Sequence, residues 1–409
     1  MKNLKKVSKI VPHFLFSNFA KCFFVIFAFS HCSSDNQKKD SQESPKVITE
    51  LYPMMYEMLN ELTQLQPFMV SESEFKDPKN KSLIRSRLEK LSSLSESVMR
   101  HKTTQVPTYR ISGEALNNHI QQLLRLNSSP VAEKNSSYAR WMLASTPFAC
   151  MSCHSQLERT AKPLWNIEEE TLKGSDFEKA EFLFSTHNYT IALNLYNKII
   201  RGFNSTEGSQ AEVSKSLSHK MTLLVRVFKN LKEAENSLNQ DLKNPALPKN
   251  LRSSIKNWIS QLRRLRQLKF FQSYVTPTLG DTIRKTNDLL DKSPRGFVSA
   301  ENPNLVEYLY LSGLLYEFLQ KETAESLNVP EILLALGRLD QGLNQEFFFA
   351  LDQLYLKECI DKFPTHPTAK KCYFEYRSEM ERLFTGTRGL DLPQDLAEQL
   401  ENAKQKVGL

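Results

Sequence analysis

The chain reads as an all-α protein: a four-helix bundle followed by an α-helical repeat-like domain. Composition points there first. Only 12 of 409 residues are Gly, while Leu, Lys, Glu, Ser and Gln are frequent, which favours helices joined by short connections. Periodicity points there second. Apolar residues recur at three- and four-residue steps along most of the chain, the spacing of one buried helix face.

Residues 1–32 are expected to be an export signal. Lys2, Lys5, Lys6 and Lys9 open it, the short apolar stretch Cys22–Phe29 follows, and no acidic residue interrupts it. That stretch is too short to span a bilayer, and Lys21 breaks it from the residues before. Cys32 comes next, then a polar run. A cysteine placed so resembles the bacterial lipoprotein signal, although His31 stands where that signal has a small residue. The resemblance implies lipidation of Cys32 and a lipid anchor; ordinary secretory cleavage is the alternative. Without the five leader lysines the 54 basic residues fall to 49 against 46 acidic ones. The remainder is near neutral and lacks a basic stripe interleaved with aromatics, so nucleic-acid binding is not expected.

Residues 33–46 form a polar tether. The bundle is expected over 47–165. Its first helix runs from about Val47 to Leu65, with Ile48, Leu51, Met55, Met58, Leu62 and Leu65 on the seam. A polar loop (SESEFKDPKNK) leads to a second helix, Ser82–His101, with Ile84, Leu88, Leu91, Leu94 and Val98 inward. A third, Ser112–Leu126, has Ser112 as its expected N-cap and buries Leu116, Ile120 and Leu123. The fourth starts after Asn135, carries Tyr138, Met142, Ala149 and Cys153 on one side, and must kink or restart at Pro147. Short connections make such helices antiparallel neighbours.

The repeat-like domain is expected over 170–395, with 396–409 as a tail. KAEFLFSTHNYTIALNLYNKIIRGF resembles a tetratricopeptide helix pair, with Ala180, Leu183, Tyr189, Ala192 and Tyr196 at its packing positions. Ser214–Leu238 resembles a degenerate second pair, and Leu251–Leu268 is another amphipathic helix. Leu305–Leu319 is apolar enough to be buried. Phe347–Phe363 and Thr368–Phe384 flank a turn at Pro364–Pro367 and form a hairpin. Cys359 and Cys372 lie about equally far from that turn, so a disulfide between its arms is expected.

One motif carries chemistry: Cys150-Met-Ser-Cys153-His154. On a helix, positions i and i+3 share a face and i+4 lies beside them. Two thiols so placed can add to the vinyl groups of one porphyrin while the imidazole meets its iron, and C-x-x-C-H is the attachment signal for c-type haem. Three other readings are weaker. A zinc site needs further Cys or His ligands nearby. A thioredoxin-like site needs a βαβ context. A disulfide within the motif is strained on a helix.

With four helices ahead of it, the motif resembles that of class II c-type cytochromes, the cytochrome c′ type, over roughly residues 46–165. That family reads C-x-x-C-H-x-x-Y-R. Here Cys150, Cys153 and His154 match, Leu157 replaces the tyrosine, and Arg159 comes one residue late. The resemblance implies one covalent haem c on the last bundle helix, with His154 as proximal iron ligand. Bundle geometry brings the start of the first helix beside the end of the fourth. Met55 is the expected distal ligand there, Met54 and Met58 being alternatives, as some class II members use a first-helix methionine. Thioether ligation raises the reduction potential. His101 and His119 are expected at the same end, as ordinary histidines.

These readings imply a non-enzymatic electron carrier on the periplasmic side of a bacterial envelope, lipid-anchored, with a protein redox partner. The alternative is a haem-based gas or redox sensor, or a scaffold, whose helical repeats dock a partner protein. No hydrolase triad, P-loop, G-x-G-x-x-G or kinase motif set is present.

Overall fold

The computed structural model describes residues 45–101, 107–128, 136–154, 167–206, 208–272, 276–292, 302–347, 351–386 and 389–409, without the side chains of 45–50, 108, 127, 128, 150–154 and 344–346. The leader, Cys32 and the tether lie outside it. The described residues are helical almost throughout, with one two-stranded hairpin, Thr385–Gly386 with Gly389–Leu390.

Four long helices come first among the described residues: α1 (Pro45–Val70), α3 (Pro78–Arg100), α4 (Pro107–Ser128) and α5 (Ser136–His154). A short α2 (Glu72–Lys76) sits between the first two. Each long helix packs on the next, and α5 returns to α1. The apolar seam explains the packing: Met58, Leu62, Leu65, Leu88, Leu91, Ile120, Leu123 and Leu143 are all buried. Polar bonds set the register. Arg140 Nη1 donates to Met69 O at 2.8 Å, and Gln121 Nε2 donates to Ser92 Oγ at 2.9 Å.

Four local readings need correction. The polar loop holds a helix of its own, because Ser71 caps α2 and Asp77 caps α3, with Pro78 at the first helical position. Ser112 is not an N-cap. The helix already begins at Pro107, and Ser112 is buried inside it. Gly113 follows because an added Cβ would stand 2.7 Å from Met99 Cγ on α3. Tyr138 faces outward and stacks on Trp141, their centroids 5.7 Å apart. Pro147 lies within a helix that continues to His154.

The remaining helices are α6 (Asp176–Ser185), α7 (Tyr189–Gly202), α8 (Gln210–Met221), α9 (Leu231–Asp241), α10 (Lys249–Gln267), α11 (Leu279–Asp291), α12 (Leu305–Lys321), α13 (Val329–Phe347), α14 (Asp352–Lys362), α15 (Pro367–Leu383) and α16 (Gln394–Lys406). A π-helical turn, Thr222–Val227, extends α8. Sequential neighbours pair, α6 with α7, α9 with α10, α12 with α13 and α14 with α15. Ser175 and Glu178 close a capping box at the start of α6. Phe347 ends α13 and does not open the next helix, and the stretch read as a tail is α16, which buries Leu400 against α14 and α15. Every residue of α12 from Leu305 to Tyr316 is buried, and this helix touches α10, α11, α13, the π turn and α4. α5 also packs on α6, and α4 on α14, where Arg110 pairs with Glu358. Cys359 and Cys372 form a disulfide, with Cα atoms 6.3 Å apart.

Candidate haem site and the neighbouring cleft

The last turns of α5 carry Cys150, Cys153 and His154; their side chains lie outside the described residues. The backbone gives their height along the helix. Ala139, Met142, Leu143, Thr146, Pro147 and Ala149 are the buried positions among the described residues of α5. Continued at three- and four-residue steps, that face passes through positions 150 and 153. Positions 150 and 153 thus share one side of the last turns of the helix.

The methionines can be placed in the same way. The Arg140–Met69 bond ties the start of α5 to the end of α1. His154 lies fourteen residues along α5 from that bond, and Met55 lies fourteen back along α1. At 1.5 Å per residue both stand about 21 Å from it, at one level. Met58 is buried, while Met54 and Met55 are half-buried, Met55 packing against the core. His101 caps the end of α3. His119 is not at this end. Its Nε2 donates to Met142 O at 2.8 Å, twelve residues and about 18 Å before His154. Burial holds its pKa below the ordinary histidine value, against the pull of that bond.

The residues present fit a haem. Two thiols and an imidazole fall within five positions, and three thioethers occupy the facing helix at that level. Ser112 is fully buried, its Oγ without a hydrogen-bond partner among the described residues. The His119–Met142 bond places Ser112 level with Ala149, beside the motif. A buried hydroxyl without a partner is costly, and a group with polar edges would supply one. Among the described residues no three His, Cys, Asp or Glu side chains gather as a metal cluster.

A second constellation joins residues far apart in the sequence. A cleft of about 550 Å³ lies between α5, α6 and α8, with Gln66 and Met69 of α1 and His119 and Gln122 of α4 completing its wall. Its inner wall holds Glu181. Tyr196 OH and His219 Nδ1 each donate to Glu181 Oε1 at 2.7 Å, and Lys215 Nζ lies 2.7 Å from Oε2. Burial pushes the Glu181 carboxyl up, but His219 and Lys215 outweigh it and hold the group at about 2. Burial, reinforced by Glu181, raises Tyr196 well above the ordinary phenol value. Phe148, two residues before Cys150, closes this end, with Lys215 Nζ 5.1 Å from its ring centre. Glu181 and His219 stand 38 residues apart on different helices, so no local pattern announces the pair.

No family model, curated protein or solved structure matches the chain. Among the described residues no helix is long and apolar enough to cross a membrane.

Proposed function

We propose that the chain is an exported monohaem c-type cytochrome that carries single electrons in the periplasm or at a membrane surface. The observation behind this reading is Cys150-x-x-Cys153-His154 on the terminal turns of α5. Haem, when bound, supplies the one-electron chemistry. Cys150 and Cys153 hold it through thioether links, His154 is the proximal iron ligand, and Met55 is the distal one, with Met54 and Met58 as alternatives. In this reading α1, α3, α4 and α5 are a cytochrome bundle of the class II kind, and the following helices are a tetratricopeptide-like array that docks a protein. Acylation of Cys32 would tether the molecule to the envelope.

The sensor reading rests on a different observation. A ligand in the cleft would touch α5 as far as Phe148, next to the motif. The visible spectrum of the exported protein separates the two. A low-spin spectrum with a thioether–iron band supports electron transfer. A high-spin spectrum that shifts with carbon monoxide supports sensing. The common premise has its own test. Changing Cys150 and Cys153 to Ala should abolish haem stain on a denaturing gel, and a stain that survives refutes the attachment.

A further inference from the structure

Arg140 is a cation short of an anion. It lies on α5 and lines the cleft. Its Nη1 donates to Met69 O, and no carboxylate among the described residues forms an ion pair with the guanidinium. The acids nearby are already engaged. Glu181 is matched by His219 and Lys215. Glu178 accepts from the backbone N–H of Ser175 at 2.8 Å. Glu72 feels the field of Arg140 but bonds Lys76. A guanidinium left so is the donor that best suits a carboxylate.

The other walls are aromatic. Tyr138 and Trp141 lie nearly parallel at the mouth, with 46% and 61% of their surface exposed. Phe148, Phe177 and Phe182 line the interior. Exposed stacked rings at the mouth of a recess are a binding feature, because an isolated chain gains nothing by leaving them wet. The volume falls within the range of small-molecule sites.

We propose that this cleft binds a small planar aromatic carboxylate. The ring system inserts between Trp141 and the phenylalanines, and the carboxylate is held by Arg140. The inference goes beyond electron transfer, and its test reads ligand binding without any signal from haem.

Calorimetric titration of the full chain with indole-3-acetate and with its neutral amide, indole-3-acetamide, tests it. The acid should bind saturably and about tenfold or more tighter than the amide, the worth of one charge-assisted bond. Arg140→Gln should bring the two to equal affinity, and Arg140→Lys should keep part of the preference. Trp141→Ala, at an exposed position that leaves the core intact, should weaken both compounds. Absence of saturable binding of either compound up to about 5 mM overturns the proposal. So does equal affinity in the unaltered chain, or an acid preference that survives Arg140→Gln. Circular dichroism of each variant confirms that a loss comes from the site and not from unfolding.

Discussion

Replacing Glu181 by Gln keeps the shape and an oxygen for Tyr196 and His219 but removes the charge that Lys215 and His219 face. The carboxyl is drawn from an ordinary 4.5 to about 2 in the fold. That difference corresponds to about 3 kcal/mol of stability. Because the folded value lies below the unfolded one, the contribution is complete above about pH 5 and disappears as the pH falls towards 2. Urea unfolding of the unaltered chain and of Glu181→Gln should therefore differ by about 3 kcal/mol at pH 7. The gap should narrow steadily below pH 5. The difference reports the Glu181 carboxyl together with the His219 and Lys215 groups bonded to it. A gap that stays constant from pH 7 to 3 would refute the reasoning, as the loss would then be one of packing and not of charge.

Three further outcomes follow from contacts elsewhere. Changing Cys359 and Cys372 to Ala opens a loop of 13 residues and should cost about 3 kcal/mol on chain-entropy grounds; an unchanged urea midpoint would argue against the crosslink. Gly313→Ala places a Cβ 2.6 Å from the Arg226 carbonyl oxygen and should destabilise by about 1–3 kcal/mol. Gly280→Ala, with nothing within 4 Å, should be neutral or slightly stabilising, and thermal melts compare the two. Lys220→Met leaves Asp241, fully buried and 2.6 Å from Lys220 Nζ, with only the more distant Arg201. It should cost about 3–5 kcal/mol, much of it restored by also changing Asp241 to Leu; a single variant as stable as the double one would contradict this.

The all-helical character was legible in the sequence because it rests on local repetition. Met58, Leu62 and Leu65 recur at helical steps and are buried together, as are Ile84, Leu88 and Leu91. Starts and ends were harder to read. The third helix begins at Pro107, before a stretch with the β-branched Thr108 and Ile111 and then Gly113, which weaken its helical signal; tertiary contact with Met99 makes that glycine fit. α16 was missed because it is mostly polar and buries little besides Leu400. Within the site, the attachment motif is contiguous and so visible from spacing alone. Glu181, Tyr196 and His219 belong to three helices, and only folding brings them to one carboxylate oxygen. Tyr138 misled because its step along α5 suits the core face, yet the ring turns out to stack on Trp141.

The central position of α12 bears on how the molecule can be taken apart. A stack of repeats that touch only their neighbours tolerates being shortened, since each cut exposes one interface. Here a single buried helix meets α4 on one side and α10, α11 and α13 on others. Excising the first five helices would strip apolar cover from α4 and α5, and the rest would lose a wall of its interior. Truncation of either part is thus an injury to both, and the compact unit that must be kept whole runs from Ser44 to Leu409.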